Sequence, residues 1–375
     1  MIALSPKKTG FFVIIYFREK IKIYFQSEFS SIMKKAFLYI LLIIVIVLLY
    51  CGWSIFGPTI QNPNKKFLYI NTGSNYQQVK DSLLKNNFLK NTFWFDKIAS
   101  YADYPENVKA GKYKIGNRMS LYHLVKMLRS GRQVPVNLVI TKLRTKEDLA
   151  KKISLNFETD SLGAINFLNN QDSLQEFDVD TNTVMTDVIP NTYTYKWNTS
   201  MKNIFKKLYE EEQKFWNGER LQKAEQLHLS PKQVYTLASI VEEETNKQED
   251  KGKIASVYIN RLKKGMKLAA DPTVKFALKD FGLKRIYHKH LEFVSPYNTY
   301  LNLGLPPGPI CTPSIKTIDA VLDSPETDYL FFVARSDFSG YSDFASNYQQ
   351  HQLNAKSYQQ ALDSLIKSRQ SNTGK

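Results

Sequence analysis

With 375 residues, 43% of them hydrophobic, the chain has room for a membrane anchor and two folded units. Its net charge of +16 would suit nucleic acid, but lysines and arginines alternate with acids along the whole chain, and no RNP, helix-turn-helix or zinc-finger spacing occurs. No nucleic-acid partner is expected, and the basic surface suits anionic cell-wall polymers or lipid headgroups instead. Cys51 sits in the longest apolar run, far from Cys311, and His123, His228, His288, His290 and His351 form no H-E-x-x-H, so neither a disulfide nor a metal or cofactor is expected.

Residues 11–17 are apolar but too short to span a bilayer, and Arg18, Glu19 and Lys20 end the stretch. Met33-Lys34-Lys35 directly before the next apolar run reads as an ordinary start for an anchored protein, so residues 1–32 are expected to be a mis-called extension. Residues 36–56 contain no charge and have the length of a transmembrane helix. Lys34 and Lys35, with Arg18, Lys20 and Lys22 upstream, place residues 1–35 in the cytoplasm and everything after Gly57 outside it. The predicted location is the cytoplasmic (inner) membrane, single-pass, with the folded part periplasmic. The run is too long for a cleaved signal peptide and lacks a small-x-small site. Bulky Tyr50 before Cys51 argues against lipoprotein processing.

Gly57-Pro58 and Gln61-Asn62-Pro63-Asn64 predict a stalk over 57–65. A weak repetition of strand, turn and amphipathic helix follows over 66–154. Strands are predicted at 66–70, 111–115 and 136–140. Helices are predicted around Val79, Leu83 and Leu84, between the cap Ser120 and the stop Gly131, and after the cap Thr145. Residues 155–182 are polar and mixed, and are expected to be helical though ill-defined. The fold class expected is α+β, with the second domain running over 155–375.

The segment 235–245, Tyr-Thr-Leu-Ala-Ser-Ile-Val-Glu-Glu-Glu-Thr, carries the strongest chemical signal. Ser230-Pro231 starts a helix well, and Val234, Leu237, Ala238 and Val241 share one stripe. At about 100° per residue, Glu244 lies roughly 40° from the centre of that stripe, while Glu242 and Glu243 lie more than about 100° away. Glu244 is therefore expected to face the interior with a raised pKa, as a glycosidase-type general acid requires, and Glu243 to be solvated and dispensable.

Several segments follow in order: Ala255-Ser256-Val257-Tyr258-Ile259-Asn260-Arg261-Leu262, Leu268-Ala269-Ala270-Asp271-Pro272-Thr273, Ser295-Pro296-Tyr297-Asn298-Thr299-Tyr300, Gly304-Leu305-Pro306-Pro307-Gly308-Pro309 and Tyr329-Leu330-Phe331-Phe332-Val333-Ala334. Together with the Glu-x-Glu-Thr ending of the helix, they make the chain resemble the MltG (YceG-like) family of membrane-anchored endolytic murein transglycosylases. The resemblance covers most of the chain. It implies a LysM-like subdomain over 66–154, with Lys109-Ala110-Gly111-Lys112-Tyr113 as its matching segment, or an α+β packing domain without glycan affinity. It implies a YceG-like catalytic domain over 155–375 and a lyase activity on the MurNAc–GlcNAc bond of nascent peptidoglycan. The products would carry 1,6-anhydro ends, which limits strand length, and work would proceed beside peptidoglycan synthases (penicillin-binding proteins).

Glu244 takes the family's catalytic position, as acid and then base. Asn260, Arg261, Asp271, Tyr297, Asn298 and Tyr300 are assigned to substrate binding, as is Glu242. That last acid has open alternatives: it could orient Arg261, accept a sugar hydroxyl, or form a structural ion pair. Three departures stand out. Asn191 replaces an acid of the family, Ala269 stands where Gln is usual, and Ser342 where relatives often carry His, the last two removing polar contacts from the cleft. The competing readings are a muramidase-type hydrolase of the same bond and a non-catalytic, membrane-tethered glycan-binding scaffold.

Overall fold

In the computed structural model, which describes residues 7–60 and 66–373, the first element is a long helix, α1 (Lys7–Phe56). It continues through Met33 without a break. Its Ser31–Phe56 portion is long and apolar enough to cross a membrane, and side chains such as Leu48 and Leu49 lie on its surface with no protein over them. The stalk expected over 57–65 is only partly described, since residues 61–65 lie outside the described residues. Its described end is docked rather than free: Ile60 is buried, and its amide donates to the Met119 carbonyl at 3.1 Å.

The chain divides into two compact units, residues 1–133 and 134–375. In the first, β1 (Phe67–Ile70) pairs antiparallel with β2 (Gly111–Lys114), Phe67 opposite Lys114 and Ile70 opposite Gly111. Alternation along both strands turns Leu68, Ile70 and Tyr113 inward. Three helices cover that face. α2 (Tyr76–Lys85) starts with a capping box between Asn75 and Gln78, and α4 (Leu121–Ser130) is capped by Ser120 and stopped by left-handed Gly131. Between them lies α3 (Phe93–Tyr101), which the strand–turn–helix reading did not contain. Its Phe95 and Ala99 pack with Leu83, Leu124 and Leu128 in one core.

The second unit begins earlier than the sequence pattern suggested. β3 (Val136–Val139) pairs with β4 (Thr192–Tyr195), Val136 opposite Tyr195, and not with the preceding strands. α5 (Lys146–Asn156), capped by Thr145 and Asp148, follows it, so both elements belong to the second unit. The mixed region after it is helical, as expected: α6 (Ser161–Asn169), short α7 (Gln171–Leu174) and the 3-10 turn Gln175–Phe177 bury Leu168, Leu174 and Phe177 against α8 (Met201–Phe215).

A second core holds the functional helices. α9 (Gly218–Gln226), α10 (Pro231–Glu244), α11 (Gln248–Lys263) and α14 (Ile315–Leu322) bury Leu237, Ala238, Val241, Ile254, Tyr258 and Ile318 together. α12 (Asp271–Leu278) and short α13 (His288–Leu291) lie between α11 and α14 in sequence. The chain ends with the hairpin β5 (Phe331–Ala334) and β6 (Ser342–Ala345), on which α15 (Tyr348–Thr373) packs.

Candidate active site

α10 is fixed at its start by a full capping box, Ser230 with Gln233, and by Pro231 in the first turn. Every residue from Val234 to Val241 is buried, because α9, α11, α12 and α14 all pack on this helix. The expected single stripe is thus a helix enclosed all round. At its C-terminal end, the three glutamates consequently leave in three directions, each into protein.

Glu242 accepts from Lys251 Nζ at 2.9 Å, from Ser314 Oγ at 3.1 Å and from Thr317 Oγ1. Burial pushes this carboxyl up, but the bonds from Thr317 and Lys251 outweigh it and hold the group below the usual range. Its partner is Lys251 of α11, not Arg261. Glu243 corrects the expectation of a solvated acid. It pairs with Lys142 Nζ at 2.8 Å and Arg144 Nη2 at 3.2 Å, and only 18% of its side chain is exposed. Burial is again outweighed, here by the two cations, and the pKa falls.

Among the described residues, no cation is bonded to Glu244. Its Oε1 accepts from the Tyr258 hydroxyl at 2.5 Å. Part of the side chain stays open to solvent, yet the surrounding protein dominates: burial raises the pKa to about 7 against the pull of the Tyr258 bond. The charge of Asp271 adds to the rise, while Arg261 and Lys275 oppose it. A carboxylic acid that still holds its proton near neutral pH is the result.

Tyr258 and Arg261 are three apart on α11 and so share a face. The Arg261 guanidinium is spent on structure as well as charge. Its Nε donates to Leu330 O at 2.8 Å, its Nη1 donates to Leu268 O, and it lies 5.5 Å from the centre of the Phe331 ring. These bonds tie α11 to β5 and to the turn before α12.

That turn presents Asp271, the exposed first residue of α12, whose Oδ1 accepts from Tyr300 OH at 2.6 Å. Two buried threonines bring the pair together. Thr273 and Thr299 hydroxyls are 2.9 Å apart, Thr299 Oγ1 accepts the Ala270 amide, and Thr299 O accepts the Ala269 amide. Ala269 has a φ of +49°, in the left-handed region uncommon for a side chain with a Cβ. The residue that departs from the family's Gln therefore occupies the strained position of the turn that carries Asp271.

The structure thus gathers Glu244, Arg261, Asp271 and Tyr300 from the expected set, and adds Tyr258, which the sequence reading quoted but gave no role. Its spacing of three from Arg261 was the available signal. The remaining expected residues make contacts that hold the surrounding loops. Asn260 donates to the Thr327 and Tyr329 carbonyls at 2.8 and 3.0 Å. Asn298, fully buried, donates to Leu291 O and Phe293 O and accepts the Tyr300 amide, so it shapes the loop that carries Tyr300. Tyr297 packs its ring on Phe276 at 4.7 Å. Its hydroxyl borders Gly308, where a Cβ would collide with the Asn182 carbonyl. The Pro306–Pro309 segment is closed in by that approach and by the Ile310 amide, which donates to Ser239 Oγ on α10 at 3.0 Å.

Asn191 lies at the β3–β4 pair, its carbonyl accepting the Ile140 amide and its side chain the Thr192 amide. Ser342 donates its amide to the buried Asp250 at 2.7 Å, at the opposite end of α11 from Tyr258 and Arg261. Among the described residues, no group of three or more His, Cys, Asp or Glu side chains is arranged to hold a metal ion.

Residues 68–357 match the model of the YceG-like family. An endolytic murein transglycosylase of Bacillus subtilis is 30% identical over 306 residues, which span 76% of this chain and 83% of that protein. One of Streptococcus pneumoniae is 27% identical over 324 residues, spanning 78% of this chain but 58% of the longer relative. A crystallised YceG-like protein of Listeria monocytogenes is 27% identical, with a TM-score of 0.48 over 76% of this chain and 97% of its own.

Proposed function

Because the chain belongs to the YceG-like family, we propose that it is an endolytic murein transglycosylase that cuts the MurNAc–GlcNAc bond inside peptidoglycan glycan strands, with Glu244 as acid and then base. The observation that carries this reading is a carboxylic acid with a pKa of about 7 and one oxygen held by Tyr258. With Oε1 occupied as an acceptor, Oε2 is left to carry the transferable proton.

In the first half of the reaction, Oε2 gives that proton to the glycosidic oxygen as its bond to the muramoyl C1 breaks. The muramoyl C6 hydroxyl then attacks C1, and the Glu244 carboxylate takes the hydroxyl proton. A 1,6-anhydro ring forms, one free GlcNAc hydroxyl appears, and no water is consumed. Attack from within the same sugar gains from proximity, so one carboxyl suffices. Asp271, Tyr300 and Arg261 surround the acid and supply polar groups for the strand. The relatives named as murein transglycosylases support the substrate class, and the long apolar part of α1 supports a single-pass anchor. The strand–helix–helix–strand order of β1, α2, α3 and β2 supports a LysM-like role in holding glycan. Limiting strand length, contact with synthases, and a periplasmic placement complete the reading.

The test is product analysis. The full chain in detergent, given uncrosslinked strands, should release internal fragments ending in 1,6-anhydro-N-acetylmuramic acid, and Glu244→Gln should release almost none, a loss of about 100-fold or more. Products one water heavier would instead mark a hydrolase with Asp271 as its second carboxylate.

A further inference from the structure

Beside the end of α1, the first unit has a groove of about 590 Å³ between α1, α3 and α4. Its floor is apolar, with Phe56, Ile98 and Val125 among the residues lining it, and its rim carries Lys97, Lys126 and Arg129. We propose that this groove holds an anionic phospholipid of the bilayer around the anchor, with an acyl chain on the apolar floor and the phosphate among the three cations. The proposal rests on the reading of α1 as a membrane anchor.

Depth is the first argument. Residues 36–56, the uncharged run after Lys34 and Lys35, extend about 32 Å as a helix, against about 30 Å for a hydrocarbon core. The end of α1 therefore lies at the boundary between chains and headgroups. Tyr50 lies about 9 Å along the axis from Phe56, on the acyl-chain side of that boundary. Trp94 of α3 meets Tyr50 edge-on with ring centres 6.4 Å apart, and Tyr122 of α4 meets Phe56 at 5.5 Å. Helices that touch α1 at this level are themselves at bilayer depth. The groove is thus continuous with the lipid-facing surface of the anchor.

Side-chain chemistry is the second argument. Phe93, Trp53 and Tyr101 are exposed around this end of the unit, Tyr101 by 93%. Large aromatic rings of this kind belong at a membrane interface. Among the described residues, Lys97 and Lys126 pair with no acid. They lie over the rings of Phe93 and Tyr122 at 6.0 and 5.8 Å. Arg129 has only a 3.9 Å contact to exposed Asp103. Three cations at the mouth of an apolar groove are complementary to a phosphate on an acyl chain.

The experiment places the full chain in nanodiscs of fixed phosphatidylcholine and phosphatidylglycerol composition, with acyl-chain bromine on one lipid or the other. Quenching at each tryptophan is obtained by difference from Trp94→Phe and Trp53→Phe. Trp94 should be quenched, and more strongly by brominated phosphatidylglycerol, by at least about twofold. The triple variant Lys97→Glu, Lys126→Glu, Arg129→Glu should lose that preference while Trp53 remains quenched. Equal quenching by the two lipids would overturn the proposal, because the cations would then select nothing. A silent Trp94 beside a quenched Trp53 would also overturn it, leaving the groove to a protein partner. If neither is quenched, the anchor reading fails and the lipid site with it.

Discussion

The Tyr258 hydroxyl donates to Glu244 Oε1 at 2.5 Å, joining one turn of α11 to the last residue of α10. Tyr258 is buried while Glu244 keeps a face open to solvent, and the bond is the main influence opposing burial in setting the Glu244 pKa. It stabilises the ionised acid more than the protonated one. Tyr258 is thus a positioning residue for the acid.

Removing that bond has a sign that can be tested. In Tyr258→Phe the charged form of Glu244 loses a hydrogen bond worth about 1.5 kcal/mol or more, so its pKa should rise by about one unit. The alkaline limb of kcat/KM, expected near pH 7 in the wild type, should move upward by that amount while kcat falls. A lower kcat with an unmoved pH profile would reduce Tyr258 to packing.

Stability gives a second readout on Glu244 without substrate. Its folded pKa of about 7 lies above the unfolded value of 4.5, so between those values the folded chain binds more protons than the unfolded one. Stability from this group should therefore be highest below about pH 4.5 and decline as pH rises to about 7. The full decline is at most about 3 kcal/mol, and less because the side chain keeps a face open to solvent. Glu244→Gln should remove it, making the variant more stable than wild type at pH 8 by chemical denaturation. No difference at pH 8 would mean that Glu244 ionises normally.

Glu243 makes the opposite prediction. Its carboxylate joins the end of α10 to the β3–α5 connection through Lys142 and Arg144, and its pKa is depressed. The stability it contributes is present above about pH 4.5 and is lost as pH falls through the lower folded value. Glu243→Gln leaves two cations uncompensated in a half-buried site and should cost about 1–3 kcal/mol at pH 7. Strand cleavage per folded molecule should stay near normal, because Glu243 points away from Glu244. A variant with unchanged urea midpoint would show the pair to be solvated after all.

What the sequence made legible follows from how local each cause is. Ser120, Gly131, Thr145 and Ser230 act within one turn, and each cap or stop lies where its side-chain chemistry indicated. Glu244 stood out because its own helix carries the apolar pattern. The partners of Glu242 and Glu243 come from α11, α14 and the segment before α5, between 9 and 101 residues away, and no helical periodicity contains them. The unit boundary was hidden for the same reason: β3 reads like a third member of a repeat until β4, some 50 residues on, pairs with it. Asn260 and Asn298 hold the carbonyls of Thr327, Tyr329, Leu291 and Phe293, and these partners too lie outside any local pattern the sequence displays.

Asp271 is the group that raises the Glu244 pKa by charge, where Tyr258 lowers it by hydrogen bonding. Asp271→Asn removes that negative charge but keeps the shape that receives the Tyr300 hydroxyl. The alkaline limb of kcat/KM should therefore move to lower pH, opposite in sign to the shift in Tyr258→Phe. Because Asp271 is exposed and its field is screened, the shift should be well under one unit and should shrink further in high salt. Activity at the new optimum should persist, since a transglycosylase needs no second carboxylate, and products should still end in anhydro sugars. Complete inactivity of Asp271→Asn with folding intact would make Asp271 a partner in the bond-breaking step, and the mechanism would then need both acids.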